Sequence, residues 1–128
     1  MISRRLVTAA LLLATAAPAA VAAERTPYSP QAFASAQASG ASILVEIFAP
    51  WCPICRAQQE ILTKLEAQQK FKTLKIYRVD FDNQKDAVRT FGASRQSTLI
   101  VFKGKDERDR SVGDTNADSL AALLDKAL

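Results

Sequence analysis

Residues 42–56 read SILVEIFAPWCPICR, and no other stretch restricts the fold of this chain as tightly. Ser42–Ala49 is a run of apolar and β-branched residues broken by one charge, Glu46, which is the pattern of a strand covered on both faces. Directly after Pro50 and Trp51 the period changes. PICRAQQEILTKLEAQQK places Ile54, Ile61, Leu62 and Leu65 at helical spacing, with charged and amide residues between them. Strand must therefore give way to helix around Cys52. Cys52 and Cys55 are the only cysteines in the chain, so the one pair of thiols sits at that junction.

The remaining patterns surround this unit with similar ones. ERTPYSPQAFASAQASG reads as a short extended lead-in and a helix, with Ser29 able to cap it, Pro30 suited to its first position and Gly40 ending it. TLKIYRVDFD is a second strand, NQKDAVRTFG a short helix closed by Gly92, and TLIVFKGK a third strand. A Gly104–Lys105 turn leads to DERDRSVG, a polar strand of the kind found at a sheet edge. NADSLAALLDKAL closes the chain as an amphipathic helix with Leu120, Leu123, Leu124 and Leu128 mostly on one side. This order predicts a single α/β domain: a mixed sheet, parallel in part with a terminal hairpin, and helices on both faces.

The first residues belong to a different problem. MISRRLVTAALLLATAAPAAVAAE begins with Arg4 and Arg5, continues as an uncharged Ala/Leu-rich run and ends in small residues, the three parts of a secretory signal cut after Ala22 or Ala23. A retained anchor is the alternative, since about 18 apolar residues marginally span a bilayer. The Ala-rich composition and the AVAA end favour cleavage, giving a signal peptide over 1–23 and a domain over 24–128. Loss of Arg4 and Arg5 lowers the net charge from +4 to +2. No basic stripe with interleaved aromatics is left, which speaks against nucleic-acid binding. Export would place the domain in an oxidising compartment, here expected to be a bacterial periplasm.

The chain has no histidine, which excludes Cys–His and Ser–His nucleophile pairs and every His-containing metal set. Three readings of the cysteine pair remain. A structural disulfide across two intervening residues would close a very small loop and remove little unfolded-state entropy. A structural zinc site needs about four ligands, so metal would require two chains sharing their thiolates. A redox pair fits the junction best. The first turn of the helix presents free N–H groups and positive dipole to Cys52, favouring its thiolate, and Pro53 occupies a position that needs no N–H. Cys52 is then the exposed nucleophile and Cys55, one turn inside, the resolving thiol.

ILVEIFAPWCPIC resembles the active-site segment of the thioredoxin superfamily: a strand with an acidic residue, an aromatic, then W-C-x-x-C. The resemblance continues through VDFDNQKDAVRTFGASRQSTLIVFKGK to SVGD and the last helix, nearly all of the domain. It implies a thioredoxin-like fold with a central mixed β-sheet flanked by helices on both faces. It places Glu46, six positions before Cys52, where the family keeps a buried acid that exchanges a proton with the resolving cysteine. Arg78 falls where a basic residue often lies near that acid. Trp51, Pro53, Thr98 and Gly113 fall on the surface that meets a substrate chain, with Trp51 as an apolar platform beside Cys52. Ser97 departs from the pattern: it stands where the family nearly always has a cis-proline facing the cysteines. A non-proline cis bond costs about 2.5–4 kcal/mol, so the expectation is a trans, reshaped loop whose hydroxyl could meet the Cys52 thiolate or a partner.

Together with the export signal, the resemblance implies a periplasmic thiol–disulfide oxidoreductase working on protein disulfide or dithiol substrates. It would act as a monomer and a reductant rather than an oxidant, with no organic cofactor and with a membrane-bound redox partner conceivable. The alternative, raised by the missing proline, is a thioredoxin scaffold that holds a metal ion or iron–sulfur cluster between two chains.

Overall fold

The computed structural model describes residues 12–17 and 24–128. Residues 12–17 have no regular secondary structure; the rest of the expected signal peptide lies outside the described residues. No helix among the described residues is long and apolar enough to cross a membrane.

The elements follow in the order β1 (Arg25–Pro27), α1 (Pro30–Ala38), β2 (Ser42–Phe48), α2 (Pro53–Glu66), a 3-10 turn (Gln69–Phe71), β3 (Lys75–Asp80), α3 (Lys85–Thr90), β4 (Thr98–Lys103), β5 (Asp106–Val112) and α4 (Ala117–Asp125). Five strands form one mixed sheet in the order β1-β3-β2-β4-β5. β1 and β2 run parallel to β3, whereas β4 is antiparallel to both β2 and β5. The expected mixed sheet with a terminal hairpin is what forms. The lead-in that reads from sequence as merely extended is a true edge strand, pairing Arg25–Pro27 with Ile76–Arg78.

β2 lies at the centre and is buried along nearly its whole length. Its alternation sorts the core into two halves. Ile43, Val45 and Ile47 join Tyr77, Val79, Ile100 and Phe102 against α1 and α3, where Phe33 meets Tyr28, Phe91 and Phe102 ring to ring. Leu44 joins Ile76, Leu99 and Val101 against Leu62 and Leu65 of α2 and Leu120, Leu123 and Leu124 of α4. Glu46 points into this second half.

Local chemistry sets the helix starts. Ser29 Oγ accepts the Ala32 N–H at 3.1 Å and Pro30 follows at the first position of α1. Asn116 caps α4 by accepting from Asp118 and Ser119. In α2 the inward stripe is Cys55, Gln58, Leu62, Leu65 and Glu66. Ile54, placed on the apolar face by its spacing, is instead exposed: the stripe that contains Cys55 turns Ile54 outward. Leu128 is also exposed, because α4 ends at Asp125 and no longer carries it against the core.

Candidate active site

β2 ends at Phe48, and the chain turns through Ala49–Cys52 with the Cys52 N–H on the Ala49 carbonyl at 3.1 Å. Cys52 is extended (φ −85°, ψ 113°) and serves as the N-cap of α2, its Sγ accepting the Cys55 N–H at 3.1 Å. A sulfur in that role receives an unpaired amide and the positive end of the helix together. Both cysteines are free thiols.

Their surroundings differ from the expectation in one respect. Cys52 is 2 % exposed, as is Cys55, so the expected exposed nucleophile is a buried one. The cause is packing: the two sulfurs share a small apolar cluster with Ala49, walled by Phe48 and Phe81. Burial pushes the Cys55 thiol up to about 11, helped by its hydrogen bond and Coulombic repulsion with Cys52, while the backbone amides of Ala49 and Ser97 act the other way. Cys55 is therefore held as a thiol beside Cys52. The pair has an order built in: Cys52 receives the amide, and Cys55 keeps its proton.

Trp51 and Ile54, which flank the cysteines in sequence, are exposed apolar groups, as is Val112 opposite Thr98. Trp51 is fixed as well as exposed, its indole N–H donating to Asp82 at 2.7 Å. Pro53 is the first residue of α2 and lies on the surface.

Ser97 donates its backbone amide to the Ile47 carbonyl at 2.8 Å, and that amide is among the groups that act to lower the Cys55 thiol. No cis peptide bond occurs among the described residues, so the loop is trans. Ser97 takes φ +61°, the only positive φ outside glycine among the described residues. Its hydroxyl donates to the Gln96 carbonyl at 2.5 Å and meets neither the Cys52 sulfur nor solvent. A left-handed backbone brings Oγ back onto the preceding peptide. Thr98 is likewise buried, its hydroxyl on the Arg95 carbonyl at 2.7 Å. Gly113 sits directly against Ser97, donating its N–H to the Ser97 carbonyl at 3.0 Å. Its φ of +71° suits glycine, and a Cβ there would lie 4.0 Å from Ser97 Oγ.

Glu46 is 3 % exposed and both its oxygens are engaged. Oε2 accepts from Arg78 Nε at 3.1 Å and Nη2 at 3.0 Å, so Arg78 stands beside the acid as expected. Its guanidinium also lies over the Phe48 ring, 3.7 Å from the centroid. Oε1 accepts from Arg25 Nε at 2.7 Å. Arg25 then reaches Glu66 with its other two nitrogens, at 2.9 and 2.6 Å. Four charges thus form one chain beneath α2. Burial pushes the fully buried Glu66 up to about 7 even though Arg25 pairs with it, and the neighbouring Glu46 adds to the rise.

Sequence reasoning misses Arg25 and Glu66, and also Gln58, buried on α2 with its amide on the Ser97 and Asp114 carbonyls. Gln58 and Glu66 carry a signal: they share the helical phase of Leu62 and Leu65. Arg25 carries none, because its pairing depends on β1 joining β3. Among the described residues no three Cys, Asp or Glu side chains gather where they could hold a metal ion. With only two cysteines in the chain, nothing supports the metal- or cluster-holding alternative.

Comparison with known proteins agrees with this geometry. The Thioredoxin family pattern matches residues 25–126. A thioredoxin of Chlamydia muridarum is 39 % identical over 94 residues, spanning 73 % of this chain and 89 % of that one. A thioredoxin of Bacillus subtilis is 31 % identical over the same coverage. Among solved structures, Trxlp from Edwardsiella tarda superposes with a TM-score of 0.77 at 44 % identity, over 79 % of this chain and 98 % of that one.

Proposed function

The chain belongs to the thioredoxin family and is a protein thiol–disulfide oxidoreductase, and from that premise we propose that it works in the periplasm as a reductant of exported proteins. The observation that carries the chemistry is the unequal pair: Cys52 as helix N-cap accepting the Cys55 amide, and Cys55 held as a thiol at about 11. Cys52 thiolate attacks one sulfur of a substrate disulfide, forming a mixed disulfide and releasing the other sulfur as thiolate. Cys55 then loses its proton and attacks Cys52 Sγ. The Cys52–Cys55 disulfide forms, the second substrate thiolate leaves, and two electrons have passed to the substrate, whose two thiolates are completed by the proton released from Cys55 and one from solvent. Glu46 is the proposed acceptor of the Cys55 proton.

The reductant direction is supported by the apolar wall of Ala49, Phe48 and Phe81. None of the groups that act on the Cys55 thiol is a cation, and cations that stabilise the thiolate of the reduced pair are one way strong oxidants are made. Export is supported by the sequence of residues 1–23 alone. A membrane-bound partner would return electrons to the oxidised pair, and the domain would act as a monomer.

Equilibration of the protein with glutathione tests the direction: a potential near about −270 mV fits a reductant and one near about −120 mV an oxidant. Location is tested with a C-terminal reporter that is active only outside the cytoplasm. Reporter activity that persists after deletion of residues 1–23 would remove the export reading.

A further inference from the structure

Gln58 is 3 % exposed and lies three residues beyond Cys55, on a stripe otherwise continued by Leu62 and Leu65. An apolar side chain would occupy such a place without desolvating an amide. The amide is fully used as a donor. Nε2 donates to the Ser97 carbonyl at 3.2 Å and to the Asp114 carbonyl at 3.0 Å. These carbonyls belong to two different loops, one leading into β4 and the other following β5. The same Ser97 carbonyl also receives the Gly113 N–H, and the Ser97 amide is held by the Ile47 carbonyl of β2. One side chain therefore fastens both loops to the helix that carries the cysteines.

The need for such a fastening lies at position 97. A proline ring there would fix φ from within the chain. Ser97 has no ring and holds φ +61°, a conformation that costs an L-residue free energy and persists only where its surroundings impose it. We propose that Gln58 is a positioning residue for protein substrates, imposing from α2 the loop geometry that position 97 does not impose on itself. The inference rests on the disulfide-exchange reading above. It also names a substrate class. A small disulfide needs only the sulfur of Cys52, whereas a polypeptide flanking a disulfide must lie along the loop backbone around Ser97 and Gly113. Gln58 thus favours disulfides carried on a chain over small free ones.

The test compares Gln58→Met, which keeps the volume and removes both donors, with the unaltered full chain. Two probes are reduced, insulin and oxidised glutathione. Loss of both clamp bonds should lower kcat/KM for insulin about tenfold, through KM, and leave oxidised glutathione within about twofold. The Cys52–Cys55 potential should stay unchanged, and hydrogen exchange at the Gly113 amide should quicken about tenfold. Should Gln58→Met fail to fold, Gln58→Asn, one methylene short of both carbonyls, should give the same pattern. Unchanged KM for insulin with unchanged Gly113 exchange overturns the proposal, and so does an equal loss with both probes, which would place the effect at the cysteines. If the unaltered protein reduces neither probe, the exchange reading fails instead; faster Gly113 exchange in the variant would still establish the clamp.

Discussion

Glu66 offers a stability experiment with little background. Its side chain is fully buried, and its hydrogen-bonding partner Arg25 is shared with Glu46. Desolvation outweighs that pairing and sets the carboxyl at about 7, against the ordinary 4.5 that it keeps in the unfolded chain. The native state thus binds this proton more tightly than the unfolded state. Below about pH 4.5 the group is protonated in both states. As pH rises toward 7 the unfolded chain releases the proton first, so stability falls across this window and levels off once both states are ionised. At 1.36 kcal/mol per pKa unit the loss comes to about 3 kcal/mol.

The chain has no histidine, so no imidazole titrates in this window. Asp80 and Asp109 are shifted the opposite way, downward from 3.8, and act only at lower pH. Urea unfolding of the reduced protein and of Glu66→Gln, at constant ionic strength between pH 4.5 and 8, should therefore diverge. The unaltered protein should lose about 3 kcal/mol relative to the variant, at unchanged m. Parallel curves, or a Glu66 carboxyl that titrates at or below 4.5 by NMR, would refute the reasoning that burial wins over Arg25.

Five further outcomes follow from the site and the core. Cys52→Ser should abolish disulfide reduction, and Cys55→Ser should accumulate a mixed disulfide with insulin that denaturing gels without reductant resolve. In Cys52→Ala the Cys55 thiol should titrate below the about 11 it has in the intact pair, because both contributions from Cys52 are gone; thiolate ultraviolet absorbance reads this directly. Ser97→Val places a β-branched side chain at φ +61° and should cost about 1–3 kcal/mol in chemical denaturation. Phe33→Ala removes the ring that meets Tyr28, Tyr77, Phe91 and Phe102 and should cost about 3–5 kcal/mol.

Most of this architecture is legible because its signals are local. The apolar run of β2, broken only by Glu46, the cap at Ser29, and the Gly104–Lys105 turn each act within a few residues, and each is where the sequence places it. The errors have a common physical origin. Three residues cannot announce themselves as a strand, and Arg25–Pro27 becomes one only because β3 presents a free edge and Glu46 and Glu66 draw Arg25 inward. Spacing misassigns Ile54 because four apolar residues fit more than one helical phase; packing of Cys55 against Ala49 chooses the phase. Sequence predicts an exposed Cys52 because its position on the helix says nothing about Phe48 and Phe81, which close over it from β2 and the end of β3.

The loop at Ser97 shows how a local departure is answered at a distance. Sequence reasoning finds the missing proline, since it reads position 97 alone. The compensation is spread over three other elements: the Ile47 carbonyl of β2 takes the Ser97 N–H, while Gly113 after β5 and Gln58 of α2 take its carbonyl. None of these contacts can be derived from RQSTLIVF. By composition Gln58 is one more amide on a polar helix, yet the phase set by Cys55, Leu62 and Leu65 turns it inward. A buried amide must find partners or destabilise the fold, and here the available carbonyls belong to the two loops beside the cysteines. The polar residue in an apolar stripe and the serine in a proline's place are thus two ends of one arrangement, and substitution at either end should be felt at the other. A double-mutant cycle on Gln58→Met and Ser97→Gly should show coupling of about 0.5 kcal/mol or more by denaturation. Additive effects would mean that the loop keeps its shape through Ile47 and Gly113 alone.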